Sequence, residues 1–321
     1  MPPRILARWL MLLALVLLAF LGTVTILNLS LYSASGFVSS YLKAMARHDV
    51  TGARQMPGVS ASPVGSNELL APATLAALND IHLIRDMDEG SGRHTVLYGY
   101  TIGGVAGTSS FVVQNTGPRL GVFSGWRFVT SPQSVLSITE RNGAGVIANG
   151  VALPDSPAGR GHAYRVLAPS RVVLTHDSTY LTAAKVVALV DEPASTVDVT
   201  VDLLANRAFV REVQKELDRY LAACTTQKVL LPTGCPMGKQ ITDRLQNDPT
   251  WSIVRYPSVT IVPGGAVGSW QVPETGALAH LTVTVKSIFD GRLIAVDEDV
   301  PFTVRYLITF ASDGSPLITA Q

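Results

Sequence analysis

The sequence predicts an α+β protein. It reads as one N-terminal transmembrane helix, then two helix-plus-antiparallel-sheet domains separated by a small all-β, sandwich-like domain. Three observations carry this. The run Trp9–Leu29 holds no charge. Two amphipathic helical patterns, starting at Phe37 and Phe209, each precede a series of strand-like runs. Between them lies a β-rich, proline-punctuated stretch with little helical periodicity. The expected divisions are 1–8 cytoplasmic, 9–31 transmembrane, 36–131 first helix-sheet domain, 134–205 small β domain and 206–321 second helix-sheet domain.

The apolar run comes first. Its 21 residues, at about 1.5 Å each, match the about 30 Å of a bilayer core. Trp9 and Tyr32 stand at its ends, where amphipathic rings favour the headgroup zone. Arg4 and Arg8 precede it, and the next charge is Lys43, so the positive-inside rule puts the N-terminus in the cytoplasm and the rest outside. A cleaved leader is the competing reading, with Ser33-Ala34-Ser35 as a small-x-small cleavage site. Asn28-Leu29-Ser30 matches a glycosylation acceptor but is discarded, because it lies inside the apolar run.

After a short Ser/Gly stretch, Phe37, Val38, Tyr41, Leu42 and Met45 share one helical face, which predicts a helix ending near His48. A short helix is expected from Pro72 to Leu78. Strands are expected over 81–86, 95–102, 108–114 and 122–130, with turns at Gly90-Ser91-Gly92, Gly103-Gly104 and Asn115-Thr116-Gly117. In the middle stretch the expected strands are 146–153, 164–166, 171–175 and 196–203, with Asn149-Gly150 as a hairpin signal and Pro154, Pro157, Pro169 and Pro193 as breaks. From Phe209 an amphipathic helix carries Val213, Leu217 and Leu221 inward and a charged face outward. Strands over 251–262, 268–272, 278–289 and 293–310 follow, the last interrupted at Pro301, with Asp290-Gly291 as a two-residue turn and Asp313-Gly314 as another. The shared Phe37-Val38 and Phe209-Val210 openings suggest an internal repeat.

The stretch FVSSYLKAMARHDVTGA resembles the first helix of NTF2-like (cystatin-like cone) domains, which lay helices over a curved antiparallel sheet. The stretch YLAACTTQKVLLPTGCPMG followed by TWSIVRYPSV resembles a pattern in single-pass envelope proteins of actinobacteria. The layout is similar to that of the teicoplanin-resistance-associated membrane proteins, without the cytoplasmic zinc ribbon many of them carry, and to VirB8-like transfer proteins. These resemblances imply a fold and a location; no motif in them is catalytic.

Composition narrows the function. The 321 residues hold 25 Lys plus Arg against 24 Asp plus Glu, a formal charge of +1, which gives no basic excess for nucleic acid. Hydrophobic residues make up 47% and charged residues 15%, which excludes general disorder. A mean hydropathy of +0.29 fits a membrane segment. Cys224 and Cys235, the two cysteines, are expected to form a disulfide outside the cytoplasm; no His lies near them to complete a metal site.

Other motifs weigh little. Ser40-x-x-Lys43 lacks the partner motifs of penicillin-binding enzymes and reads as a solvated helix face. Gly143-x-Gly145-x-x-Ala148 precedes a strand rather than the helix a dinucleotide needs. Asp297-Glu298-Asp299 on a strand would send its middle carboxylate away from the other two. The six histidines show no ligand spacing, and no cofactor is expected.

The leading expectation is a binding or scaffolding protein, not an enzyme, whose partners are an envelope protein, a peptide or a cell-wall ligand. The alternatives are a cone pocket lined by Asp86, Tyr98, Tyr100 and Trp126, with weak isomerase or lyase chemistry, and a component of a secretion or conjugation machine.

Overall fold

The computed structural model describes residues 3–119, 121–154, 159–311 and 313–321. Pro157 and the first two residues of the N-terminal segment therefore lie outside the described residues. One long apolar helix precedes a body made mostly of sheet, so the chain is α+β.

Helix α1 spans Pro3–Leu29. Its Trp9–Leu29 stretch has mean hydropathy 2.8 and none of it is buried by the body. After Leu29 the chain turns sharply into α2, Ala34–Ala46. Ser33 caps α2 by accepting a hydrogen bond from Gly36 N at 3.0 Å. A Cβ on Gly36 would sit 2.2 Å from Ser30 O, so this corner requires glycine. His48 takes the left-handed conformation (φ 59°), and Asp49 caps a further short helix, α3, Val50–Arg54, that periodicity alone does not reveal.

The helix expected at Pro72–Leu78 is corrected. The region holds two 3₁₀ turns, Glu68–Leu70 and Pro72–Thr74, and Leu75 is already extended. Leu78 pairs with Ile102, so sheet pairing captures residues that helical spacing claims. Strands β1 (Leu78–Gly90), β2 (Arg93–Ile102), β3 (Val105–Arg119) and β4 (Phe123–Phe128) form an antiparallel meander in that order. Asn115-Thr116-Gly117 is a bulge within β3 rather than a turn. Val96, Tyr98, Tyr100 and Ile102 alternate along β2 and meet Val38, Tyr41, Leu42 and Met45 of α2 in one core.

The middle strands are β5 (Gln133–Arg141), β6 (Ile147–Ala148), β7 (Val151–Ala152), β8 (Gly161–Leu167), β9 (Ser170–Thr175), β10 (Leu181–Ala183), β11 (Val186–Val190) and β12 (Thr196–Ala205). They make two four-stranded sheets, β10-β12-β5-β8 and β11-β9-β6-β7. Both contribute to one core, with Leu136, Val166 and Leu203 from the first and Val172, Leu174 and Val190 from the second. β12 runs parallel to β5; the other ladders of the two sheets are antiparallel. Asn149 and Gly150 both take positive φ, 47° and 84°, as a two-residue hairpin of the primed type requires.

The first two cores interlock. Leu69 packs into the middle core and Leu167 into the first. Tyr41 donates to Ala168 O at 2.8 Å, and the Asn149 amide donates to Thr74 O at 2.5 Å.

Helix α4 covers Arg207–Cys224, capped by Asn206, whose side chain accepts from Ala208 N and Phe209 N. Strands β13 (Arg244–Leu245), β14 (Thr250–Arg255), β15 (Val262–Pro263), β16 (Trp270–Lys286), β17 (Leu293–Phe310) and β18 (Pro316–Ala320) follow. β13, β14 and β15 share one edge of β16, β17 takes the other, and β18 completes the sheet.

Four expectations change here. The run 251–262 divides into β14 and β15 around Pro257. The runs 268–272 and 278–289 are one strand, because a register shift between Val272 and Thr275 absorbs Pro273. Pro301 does not break β17. It faces Leu278 across the ladder, while β18 pairs only with Tyr306–Phe310, so a missing N–H on the uncovered side costs nothing. The Asp290-Gly291 turn is a longer loop over 287–292, closed by Ser287 N donating to Arg292 O at 2.9 Å.

The suggested repeat is phased differently in its two copies. In α2 Val38 is fully buried and Phe37 partly so; in α4 Phe209 is fully buried and Val210 partly so.

Candidate functional site

The four residues proposed for a cone pocket occupy different surroundings. Tyr98 is buried and donates to Ser35 O at 2.9 Å. Tyr100 shares a 2.8 Å hydrogen bond with Ser109 Oγ, and Ser109 donates onward to Asp191 O. Burial raises the pKa of both phenols, so both are neutral donors. Asp86 faces His94, with Oδ1 2.7 Å from Nδ1. His94 in turn lies edge-on to Trp126, ring centroids 5.1 Å apart. Trp126 donates from Nε1 to Tyr32 O at 2.8 Å.

Three of these side chains line three different hollows. Tyr98 lines one beside Lys43, Tyr100 a second beside His82, and Trp126 a third beside Leu31 and Met56; Asp86 lines none of the three. The space between α2 and the sheet is filled by Tyr41, Leu42, Phe111 and Phe128, each at most 2% exposed. The geometry thus joins Asp86, His94 and Trp126 in a chain of contacts and leaves the two tyrosines apart from it.

The hollow at Trp126 has a volume of about 680 Å³. It forms where α1 ends. The Asn28 side chain clamps the sheet there: its amide donates to Val122 O at 2.8 Å and its carbonyl accepts from Ser124 N at 2.9 Å. Tyr32 stacks on Phe123 with centroids 4.3 Å apart. Leu31, Tyr32, Phe37, Met56, Pro118 and Trp126 supply its apolar walls. The groove leaves one legible signal in the sequence: Asn28, an amide in an apolar run.

Cys224 and Cys235 are joined by a disulfide, S–S 2.06 Å. The enclosed loop is braced from inside: Gln227 accepts from Thr233 N at 2.8 Å and donates to Thr233 O at 3.1 Å. Trp251 Nε1 donates to Val229 O at 2.9 Å, and Tyr220 donates to Gly234 O.

On the open face of the last sheet, His280 sits between two carboxylates. Nδ1 is 2.8 Å from Asp299 Oδ1 and Nε2 is 2.5 Å from Asp297 Oδ1. The hydrogen bonds to Asp299 and then Asp297 raise its pKa. Glu298 points the other way, to Lys239 at 3.0 Å. Among the described residues no group of three His, Cys, Asp or Glu side chains is placed to hold a metal ion.

Compared with protein-family models, with curated proteins and with solved structures, the chain finds no match in any of the three.

Proposed function

We propose that this chain is a membrane-anchored, extracytoplasmic binding or scaffolding protein of the bacterial cell envelope, with α1 retained as its anchor. The observation that carries the reading is the clamp at the end of α1. Asn28, Tyr32, Ser33 and Ser35 are all bonded into the body, and Ala34 is 1% exposed. Cleavage after Ser35 would remove the cap of α2, worth about 1 kcal/mol, together with the acceptor of the Tyr98 hydroxyl. A discarded leader has no need of such contacts.

The disulfide supports an oxidising compartment. Arg4 and Arg8 ahead of the span support a cytoplasmic N-terminus. Each helix-sheet unit, α2 on β1–β4 and α4 on the last sheet, supports an NTF2-like reading by its order of elements. Binding surface is plentiful: among the described residues no strand pairs with β17 on one side from Leu293 to Val304, and an uncovered strand edge accepts an extended peptide. An envelope protein, a peptide or a cell-wall ligand are the partners this surface suits. The filled space under α2 lends no support to a catalytic cone.

In-cell crosslinking of the tagged full-length protein, with mass spectrometry of what copurifies, tests the reading. A defined envelope protein or wall fragment is expected, and a transfer or secretion apparatus among the products would name the process. Recovery of the protein alone, monomeric or self-associated, would count against a scaffold.

A further inference from the structure

We propose that the corner between α1 and α2 binds an anionic membrane lipid, its acyl chain in the groove at Trp126 and its headgroup phosphate at Lys43. This rests on the retained-anchor reading above.

The position points to lipid. The groove is walled by Leu31 and Tyr32, two and three residues after the Trp9–Leu29 stretch, so it opens where a bilayer presents its phosphates and upper acyl chains. Its size, about 680 Å³, falls in the range of small-molecule sites, about 300–1,000 Å³. None of its lining residues is Asp, Glu, Lys, Arg or His, so it suits an uncharged chain and offers a phosphate no cation.

The cation stands next door. A second hollow, about 360 Å³, shares Leu31 and Ser40 with the groove and is lined by Leu29, Ser39, Lys43 and Tyr98. Lys43 is the first charged residue after Arg8. It makes no ion pair among the described residues. The neighbouring hydroxyls are occupied: Ser30 donates to Ile26 O at 2.8 Å, Ser33 to Ser30 O at 2.6 Å and Ser40 to Gly36 O at 2.9 Å. Lys43 is the one charged side chain among the residues lining this hollow, and so the group that would meet an anion there. The Ser40-x-x-Lys43 pair, unremarkable as a catalytic motif, marks the ridge where the two hollows join.

The test uses the full-length protein in nanodiscs of phosphatidylcholine with phosphatidylglycerol. A trace of the phosphatidylglycerol carries a photoactivatable diazirine on its acyl chain. Adducts are expected on the segments 31–37, 52–57 and 116–126. One basic residue at a membrane surface is worth about fivefold, so Lys43→Gln lowers the yield there by about that factor. Ser40→Trp, at an exposed helical position shared by both hollows, removes the adducts at 52–57. Lys185→Gln, on the exposed surface of the middle unit, leaves the yield unchanged.

Adducts confined to Trp9–Leu29 would overturn the proposal. So would equal labelling by a phosphatidylcholine probe, yields unmoved by both groove variants, or a copurified protein that excludes the probe. Intact mass of the protein from its native membrane separates the two levels. A mature chain starting after Ser35 would sink the anchor reading itself, whereas a full-length chain without groove adducts would sink only the lipid site.

Discussion

Asn28 and His280 show how single side chains take their meaning from distant neighbours. Asn28 sits in a run that is otherwise read by hydropathy alone, and its amide acquires a purpose only when β4 arrives beside it. His280 lies across a ladder from Asp299, with Asp297 diagonal to it, a juxtaposition set by register and invisible in the linear chain. Its imidazole is expected to titrate above the ordinary value of about 6.5. The sign follows: the stabilisation is complete below that value and is lost as pH rises through the raised folded pKa. NMR titration of the His280 ring checks this. Asp299→Asn should move the pKa down, and an unmoved titration would show that the carboxylates do not hold the ring. Tyr41 offers a second test. Its hydroxyl is fully buried and donates across to Ala168 O, which holds the first core against the middle one. Tyr41→Phe leaves that carbonyl without its donor and should cost about 1–3 kcal/mol in denaturant unfolding.

Among elements, those legible in the sequence are those whose signal is local. The apolar run of α1 needs no partner to be recognised. α2 and α4 follow from 3.6-residue spacing, and the Asn149-Gly150 hairpin from a dipeptide that tolerates two positive φ angles. What failed depends on pairing. The helical spacing at Pro72–Leu78 yields to the ladder with Ile102. Pro273 and Pro301 look like strand breaks, yet one falls at a register shift and the other at an uncovered edge. The parallel β12–β5 ladder joins segments about sixty residues apart and leaves no local trace. The candidate groove is less legible still, since it gathers three segments around the end of α1. The Cys224–Cys235 pairing was expected from compartment and composition, and the bond is present. Closing so short a loop should stabilise the chain by about 2–3 kcal/mol. Reduction, or Cys224→Ser with Cys235→Ser, should lower the unfolding midpoint accordingly; an unchanged midpoint would mean that the Gln227 and Trp251 bonds hold the loop unaided.

At the scale of the whole molecule, the organising feature is that α1 and the body share contacts. The first sheet is fixed at the end of α1, the middle sheets interlock with it through Tyr41, Leu69 and Leu167, and the last sheet follows through Tyr180, which packs on Phe209 and Phe310. A binding surface such as the uncovered edge of β17 would thus be presented at a fixed place relative to the membrane. That account depends on α1 staying attached and on the body lying outside. Protease shaving of intact cells, followed by mass spectrometry of the membrane fraction, tests both together. The account predicts that residues from about 36 onward are digested from outside while a fragment containing Trp9–Leu29 remains in the membrane. A body protected until the cells are broken, or a released protein beginning after Ser35, would contradict it.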